Sequence, residues 1–171
     1  MLLDLIILFI ILFLLLLLSM VWPPDSPWAP WWRTSHQTAR AICQLANVKK
    51  GDLIYDLGSG DGTALITAAK EFAAFGVGIE IDPIRYWISK IRLQRSGLSK
   101  RVKVIRKNFF TQNIKDADVV FVYLVPKALE KLLPKFKKEL KRGTRIVSFV
   151  YEINLPLKSY DKKNRIRLYV I

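Results

Sequence analysis

Two short stretches, about twenty residues apart, hold the residue types best suited to bind a cofactor. The first is an apolar run, Leu53 to Leu57, that includes Asp56 and is followed by glycines at every second position of Gly58–Gly62. The second ends in Glu80. A strand that turns on glycines into a helix presents bare backbone N–H groups, and a carboxylate after the next strand can accept hydrogen bonds from both ribose hydroxyls. The pattern therefore predicts a nucleoside cofactor.

The charges around the glycines distinguish between cofactors. A dinucleotide fingerprint requires a third glycine where this chain has Thr63. Asp56 and Asp61 flank the loop, and their negative charge repels a pyrophosphate but attracts a sulfonium or ammonium group. This favours S-adenosylmethionine (SAM) over NAD. The alternative is a tight turn in which Asp61 is only an acid at a helix start.

A resemblance supports the first interpretation. Asp56-Leu57-Gly58-Ser59-Gly60-Asp61-Gly62 with Gly78-Ile79-Glu80-Ile81-Asp82-Pro83 resembles the seven-strand, Rossmann-like SAM-dependent methyltransferases. More narrowly, the chain is similar from Trp28 to Ile171 to a group of small membrane-anchored protein-lysine methyltransferases. This group includes the mitochondrial enzymes that act on the ATP synthase c-subunit and on the adenine nucleotide translocase, with many short prokaryotic relatives. The resemblance implies an α/β fold whose seven-stranded, mostly parallel sheet ends in an antiparallel hairpin.

The resemblance also implies roles for individual residues. Those predicted to bind the cofactor are Asp56, Gly58, Ser59, Gly60, Asp61, Gly62, Glu80, Ile81, Asn108 and Phe109. Asn108 stands where the family has an Asp that contacts adenine, and its carbonyl can still accept from the amino group. The alternative is an Asn favoured by a turn.

Three further residues are predicted to lie at the acceptor pocket: Thr34, Trp32 and Tyr123. Thr34 and Trp32 belong to a Pro-aromatic-x-x-Thr segment that begins at Pro30, although Trp32-Arg33 departs from the family's Val-Pro. Trp32 could instead anchor the chain at a membrane interface, and Tyr123 could be an ordinary strand aromatic. Glu152 is the only general base we would consider.

The N-terminus is strongly apolar. Leu5 to Leu18 is an unbroken run of Leu, Ile and Phe, so residues 1–22 are predicted to be a transmembrane anchor. Residues 23–34 then form a Pro/Trp-rich linker, and residues 35–171 the methyltransferase domain. A cleaved signal peptide is disfavoured because no Lys or Arg precedes the run. The later positive charges predict a single-pass membrane protein with a cytoplasmic catalytic domain.

The net charge of +14 falls entirely on residues 46–171, because Asp4, Asp25, Arg33 and Arg40 cancel. Such a domain should attract an anionic phospholipid surface or a nucleic acid. The lysine-rich face of residues 127–142 is expected to contact anionic lipid, and Arg85 and Arg92 to lie on a solvated face. One cysteine and one histidine exclude an intramolecular disulfide and a Cys/His metal cluster.

Nucleic acid is the less favoured partner. Enzymes that methylate base amino groups carry an Asn/Asp-Pro-Pro-Tyr/Phe motif after the fourth strand, where this chain reads Tyr123-Leu124-Val125-Pro126. The sequence thus predicts a membrane-anchored SAM-dependent methyltransferase acting on a lysine of a protein, which could itself be membrane-associated. The alternatives are an RNA or small-molecule or lipid methyltransferase and, in another class, a non-catalytic SAM-binding membrane protein.

Overall fold

The computed structural model of this chain describes residues 2–21 and 33–171. The helices are α1 Leu2–Val21, α2 His36–Leu45, α3 Thr63–Glu71, α4 Pro83–Arg95 and α5 Pro126–Glu139. The strands are β1 Leu53–Leu57, β2 Phe75–Glu80, β3 Val102–Arg106, β4 Val119–Val122, β5 Arg145–Phe149, β6 Leu157–Asp161 and β7 Ile166–Val170.

The seven strands form one sheet in the order β3-β2-β1-β4-β5-β7-β6. The first five pair in parallel, whereas β7 runs antiparallel to both β5 and β6. This confirms the predicted Rossmann-like sheet with an antiparallel C-terminal hairpin. Strand order reverses between β1 and β4, and in open parallel sheets ligands bind beyond the carboxyl ends of the strands at such a point.

Strand β4 shows how the sheet separates two apolar cores. Val119 and Phe121 belong to the core beneath α2 and α3, and Val120 and Val122 to the core beneath α5. All four are buried because successive strand residues point to opposite faces and both faces are covered by helices. This explains why the sequence shows an unbroken apolar run here rather than an alternation.

Local capping signals fix the helix starts near the cavity described below. The Ser35 hydroxyl accepts a hydrogen bond from the Thr38 backbone N–H at 3.0 Å and begins α2. Asp82 caps α4 in the same way through the Arg85 N–H at 2.8 Å, and Pro83 occupies its first turn. Both starts are therefore set by residues adjacent to the helix in the sequence.

The predicted transmembrane anchor is wrong. Within the described residues, no helix combines the length and the apolarity needed to cross a membrane. The single-pass membrane localisation, with its cytoplasmic orientation, depended on that anchor and is overturned with it.

Candidate cofactor and acceptor site

A cavity opens at the carboxyl ends of β1, β2, β4 and β5. Eight of the predicted cofactor residues line it: Asp56, Gly58, Ser59, Gly60, Asp61, Glu80, Ile81 and Phe109. Thr34, Tyr123 and Phe149 also contribute to its lining. We call the part around residues 56–61 and Glu80 the glycine-loop side, and the part formed by Thr34, Tyr123 and Phe149 the aromatic side.

Glu80 braces the glycine-loop side. Its carboxylate accepts hydrogen bonds from the Gly60 N–H at 2.8 Å and the Asp82 N–H at 2.9 Å, so it ties the loop after β1 to the loop after β2. Burial raises the pKa of Glu80, and the Asp82 and Gly60 N–H groups partly counter that effect. Each carboxylate oxygen keeps lone-pair capacity for a further donor.

Asp56 is the second buried acid of the cavity. It is 8% exposed, and burial, followed by the charges of Glu80 and Asp61, raises its pKa to about 7. A cation that binds beside this buried carboxyl stabilises the ionised form and thereby lowers its pKa again. This environment suits the positively charged groups of SAM and disfavours a phosphate.

Asp61 differs from Asp56 because the protein supplies its counter-charges. Its carboxylate pairs with Arg33 at 3.0 Å and with Arg92 at 2.5 Å, and it accepts from the Thr63 hydroxyl at 2.7 Å. Burial opposes ionisation, but the Thr63 hydrogen bond and the two arginine charges outweigh it and hold the pKa of Asp61 below its ordinary value. Asp61 is therefore a brace at the start of α3, and Asp56 is the less compensated acid.

Ser59 and Gly78 show that the cavity fits a polar ligand. Among the described residues, Ser59 Oγ is buried without a hydrogen-bond partner, and such orphaned groups are rare in native structures. A Cβ added at Gly78 would lie 2.6 Å from that oxygen, so only glycine leaves room for the serine. The unpartnered Ser59 hydroxyl is thus accommodated only because residue 78 has no side chain. A cofactor with several hydrogen-bond donors and acceptors could supply the missing partner.

Arg85 was missed by the sequence analysis. The prediction of a solvated face is wrong for it, because Arg85 is 4% exposed and lines the cavity next to Ile81. Burial lowers the pKa of Arg85, and the charges of Glu80 and Asp82 partly oppose that change. One sequence feature could have indicated the buried position of Arg85. It lies three residues after the helix cap Asp82, in the first turn of α4, which begins beside the cavity.

Two of the predicted cofactor residues do not line the cavity. Gly62 caps α3 with a φ of +77°, and a Cβ there would lie 3.4 Å from Ser89 Cβ, so it allows α3 and α4 to approach closely. Asn108 is exposed, and its side-chain oxygen accepts a hydrogen bond from the Phe110 N–H at 2.9 Å. This is the geometry expected of an Asn that stabilises a turn, the alternative given above. Trp32 lies outside the described residues.

The aromatic side is built from the ends of β4 and β5. The rings of Tyr123 and Phe149 meet edge to face with centroids 4.6 Å apart. Burial is the main effect that raises the pKa of Tyr123, and the neighbouring Tyr151 raises it further. Arg165 partly opposes this change. The phenol therefore stays protonated and neutral at physiological pH, and this side offers two aromatic rings with the hydroxyls of Tyr123 and Thr34.

Comparisons with known proteins agree with this geometry. The family described as ANTKMT methyltransferase domain matches residues 56–156, more than half of the chain. A "Protein-lysine N-methyltransferase" of Saccharolobus islandicus is 35% identical over 89% of this chain and 98% of its own length. The mouse lysine N-methyltransferase of the ATP synthase c-subunit is 33% identical over 67% of this chain and 45% of its own length, so this chain spans about half of that relative.

A solved structure is also similar. The RNA methyltransferase of Salinibacter ruber, in complex with S-adenosyl-L-homocysteine, superposes with a TM-score of 0.79. It is 31% identical and covers 82% of this chain and 94% of its own. Because fold, cavity and family agree, the chain belongs to the ANTKMT methyltransferase domain family and is a SAM-dependent methyltransferase.

Proposed function

We propose that the methyl acceptor is a lysine ε-amino group of a protein. The observation that supports this best is the aromatic side of the cavity, where Tyr123 and Phe149 face the same space as the glycine loop. An apolar wall can hold the methylene stem of a lysine and strip water from its nitrogen. The names of the Saccharolobus and mouse relatives point to the same acceptor.

On the glycine-loop side, we assign cofactor binding to residues that line the cavity. Glu80 would accept the ribose hydroxyls, while Asp56 and Ser59 would face the charged amino-acid end. Ile81 and Phe109 would pack against the adenine. When bound, SAM supplies a methyl group activated by a sulfonium.

The transfer needs positioning and a neutral nitrogen. The acceptor nitrogen forms its bond to the methyl carbon as the carbon–sulfur bond breaks, and the sulfur leaves as a neutral thioether. A lysine of ordinary pKa about 10.4 must first lose a proton to water, and desolvation by Tyr123 and Phe149 lowers that cost. Tyr123 can accept a hydrogen bond from the nitrogen and hold it in line.

A second acceptor class is supported by a separate observation. The Salinibacter relative is described as an RNA methyltransferase, and the net charge of +14 would attract a polyanion. Against RNA, the four residues Tyr123–Pro126 lack the motif typical of base-amino methylation.

The contact of the lysine-rich face of α5 with anionic lipid stays a prediction.

Label transfer from methyl-tritiated SAM distinguishes the two acceptors. The protein acceptor would be a peptide library with one central Lys and random flanks lacking Lys; its control carries Arg at the centre. The RNA acceptor would be unmodified transfer and ribosomal RNA. We expect label in the Lys library alone, released as methyl-lysine on hydrolysis. Label in RNA without label in the Lys library would overturn the proposal.

A further inference from the structure

The chain makes an unusual turn directly after β5. Val150 has a φ of +71°, and the Tyr151 N–H donates to the Phe149 carbonyl at 2.9 Å. A three-residue turn of this hand is rare and strained. The strain is greater for a β-branched residue, because its Cβ substituents clash with the backbone at positive φ.

Several contacts hold this turn in place. The Val150 N–H donates to the Arg165 carbonyl at 2.8 Å, and the Arg167 guanidinium donates to the Val150 carbonyl at 2.6 Å. The Ser148 hydroxyl donates to the Tyr151 carbonyl at 2.5 Å. Strained backbone persists only where the surroundings determine it in this way, and it concentrates at functional sites.

Arg167 is itself fixed by its neighbours. It pairs with Glu152 at 2.9 Å, and its guanidinium carbon lies 4.4 Å from the centroid of the Tyr160 ring. The β5–β7 pairing places Arg167 opposite Ser148. The antiparallel hairpin therefore acts as a rigid support for the turn rather than only as the end of the sheet.

The turn places two aromatic rings around Tyr123. Phe149 lines the cavity and meets Tyr123 with ring centroids 4.6 Å apart, and the Tyr151 ring lies 6.4 Å from Tyr123 on a tilted plane. Phe149 belongs to β5 itself, so the turn acts on Tyr151: without it, β5 would continue and carry the Tyr151 ring along the sheet, away from Tyr123. The arrangement groups three aromatic rings, of which Tyr123 and Phe149 line the cavity and Tyr151 lies behind them.

We propose that Phe149 determines which acceptor side chain fits the cavity, and that the strained turn at Val150, with Tyr151, is a positioning device for Phe149 and Tyr123. The inference rests on the proposed lysine methylation and adds the residues that receive the lysine stem. Ring faces attract an ammonium group, and their apolar bodies exclude water before the proton is lost. Arg167 supports the turn from outside the cavity.

Phe149→Leu tests the lining role. With the Lys peptide library as probe, we expect kcat/KM to fall about tenfold, the size of a lost aromatic contact. SAM affinity, measured by calorimetry, should stay within about twofold of wild type, because the cofactor contacts lie elsewhere. Trp87→Leu is the matched control, since Trp87 is 58% exposed and outside the cavity.

Substitutions at Val150 test the positioning role. Val150→Gly keeps the backbone free to adopt positive φ, so kcat/KM should remain near wild type while thermal stability rises. Val150→Pro cannot adopt that φ and loses the N–H bonded to Arg165, so kcat should fall about a hundredfold. Tyr151→Phe, which keeps the ring, should behave as wild type, and Tyr151→Ala should not.

The outcomes separate this inference from the function on which it rests. If the wild-type protein transfers label to the Lys library and Phe149→Leu and Tyr151→Ala are equally active, only the proposed role of the aromatic side is refuted. Wild type inactive on the Lys library would refute the lysine acceptor and this inference together. If Val150→Pro fails to fold, the kcat of Tyr151→Ala decides the positioning role, and a value equal to that of wild type would refute it.

Discussion

The two sides of the cavity are assembled in different ways. The glycine-loop side comes from one βαβ unit, in which Asp56 and Glu80 lie 24 residues apart and are linked through the hydrogen bond from Gly60 to Glu80. The aromatic side brings together Thr34, Tyr123 and Phe149 from three distant parts of the chain. A local unit can conserve one cofactor chemistry, while the separate parts can change to suit different acceptors.

This difference between the two sides leads to an expectation about the effects of substitutions. Changes on the glycine-loop side should weaken SAM binding whatever the acceptor, whereas changes on the aromatic side should alter transfer and leave SAM binding intact. Four variants test it, in order of decreasing expected effect.

Glu80→Ala should have the largest effect. It removes the acceptor of both the Gly60 and Asp82 N–H groups and the proposed ribose contact, so we expect SAM affinity to fall about a hundredfold. Calorimetry with SAM measures this change. Glu130→Ala, at an exposed position of α5, is the control, and equal affinities in the two variants would contradict the assignment.

Asp56→Asn tests the charge of the same side. Because the pKa of Asp56 is about 7, we expect wild-type SAM affinity to fall about tenfold from pH 8 to pH 6, as the carboxylate is protonated. The variant should bind SAM more weakly at pH 8 and show a much flatter pH profile. A wild-type profile as flat as that of the variant would remove Asp56 from the cation site.

The same carboxyl predicts a pH dependence of stability without cofactor. Its folded-state pKa lies above the ordinary value of 3.8, so between about pH 4 and pH 7 the folded chain binds more protons than the unfolded chain. The free energy of unfolding should therefore decrease as pH rises through this window, by about 4 kcal/mol at most. Asp56→Asn should remove this contribution, while Glu80 still contributes with the same sign and Asp61, whose pKa is lowered, with the opposite sign.

Tyr123→Phe probes the aromatic side. The ring and its contact with Phe149 remain, and only the hydroxyl that would hold the acceptor nitrogen is lost. We expect kcat on the Lys library to fall about fivefold, the size of one neutral hydrogen bond, with unchanged SAM affinity. A loss of SAM affinity equal to the loss of kcat would mean that the two sides are not separable.

Arg33→Ala should have the smallest effect. The Arg33 side chain is 66% exposed, and Asp61 keeps its contact with Arg92. Exposed ion pairs contribute little, so SAM affinity should change by no more than about threefold. Arg92→Ala, which removes the pair with the less exposed arginine, provides the comparison and should have the larger effect.

The same contrast explains how far the sequence could be interpreted. The strand, glycine turn and acid of the first βαβ unit are encoded within residues 53–82, so most residues that line this side of the cavity could be named from their spacing and the resemblance. The caps Ser35 and Asp82 are equally local signals. The seven-stranded sheet with its antiparallel end followed from the resemblance, whereas the order of its strands has no local signal.

Residues that depend on long-range contacts escaped prediction. Arg85 reads as one more cation of a basic helix, and only its packing beside Glu80 shows that it is buried. The counter-charges of Asp61 come from Arg33 and Arg92, 28 and 31 residues away. The turn at Val150 has no sequence signature, because a glycine would be expected at that φ.

The bridge from Arg33 through Asp61 to Arg92 joins the residues before α2 to the glycine loop and to α4. Linkage between sites is reciprocal. If loading the loop tightens this bridge, the stretch that precedes α2 is tethered most firmly in the loaded enzyme, and an acceptor bound to that stretch would in turn slow escape of the spent nucleoside. The order of binding would then depend on a single carboxylate shared by two guanidinium groups.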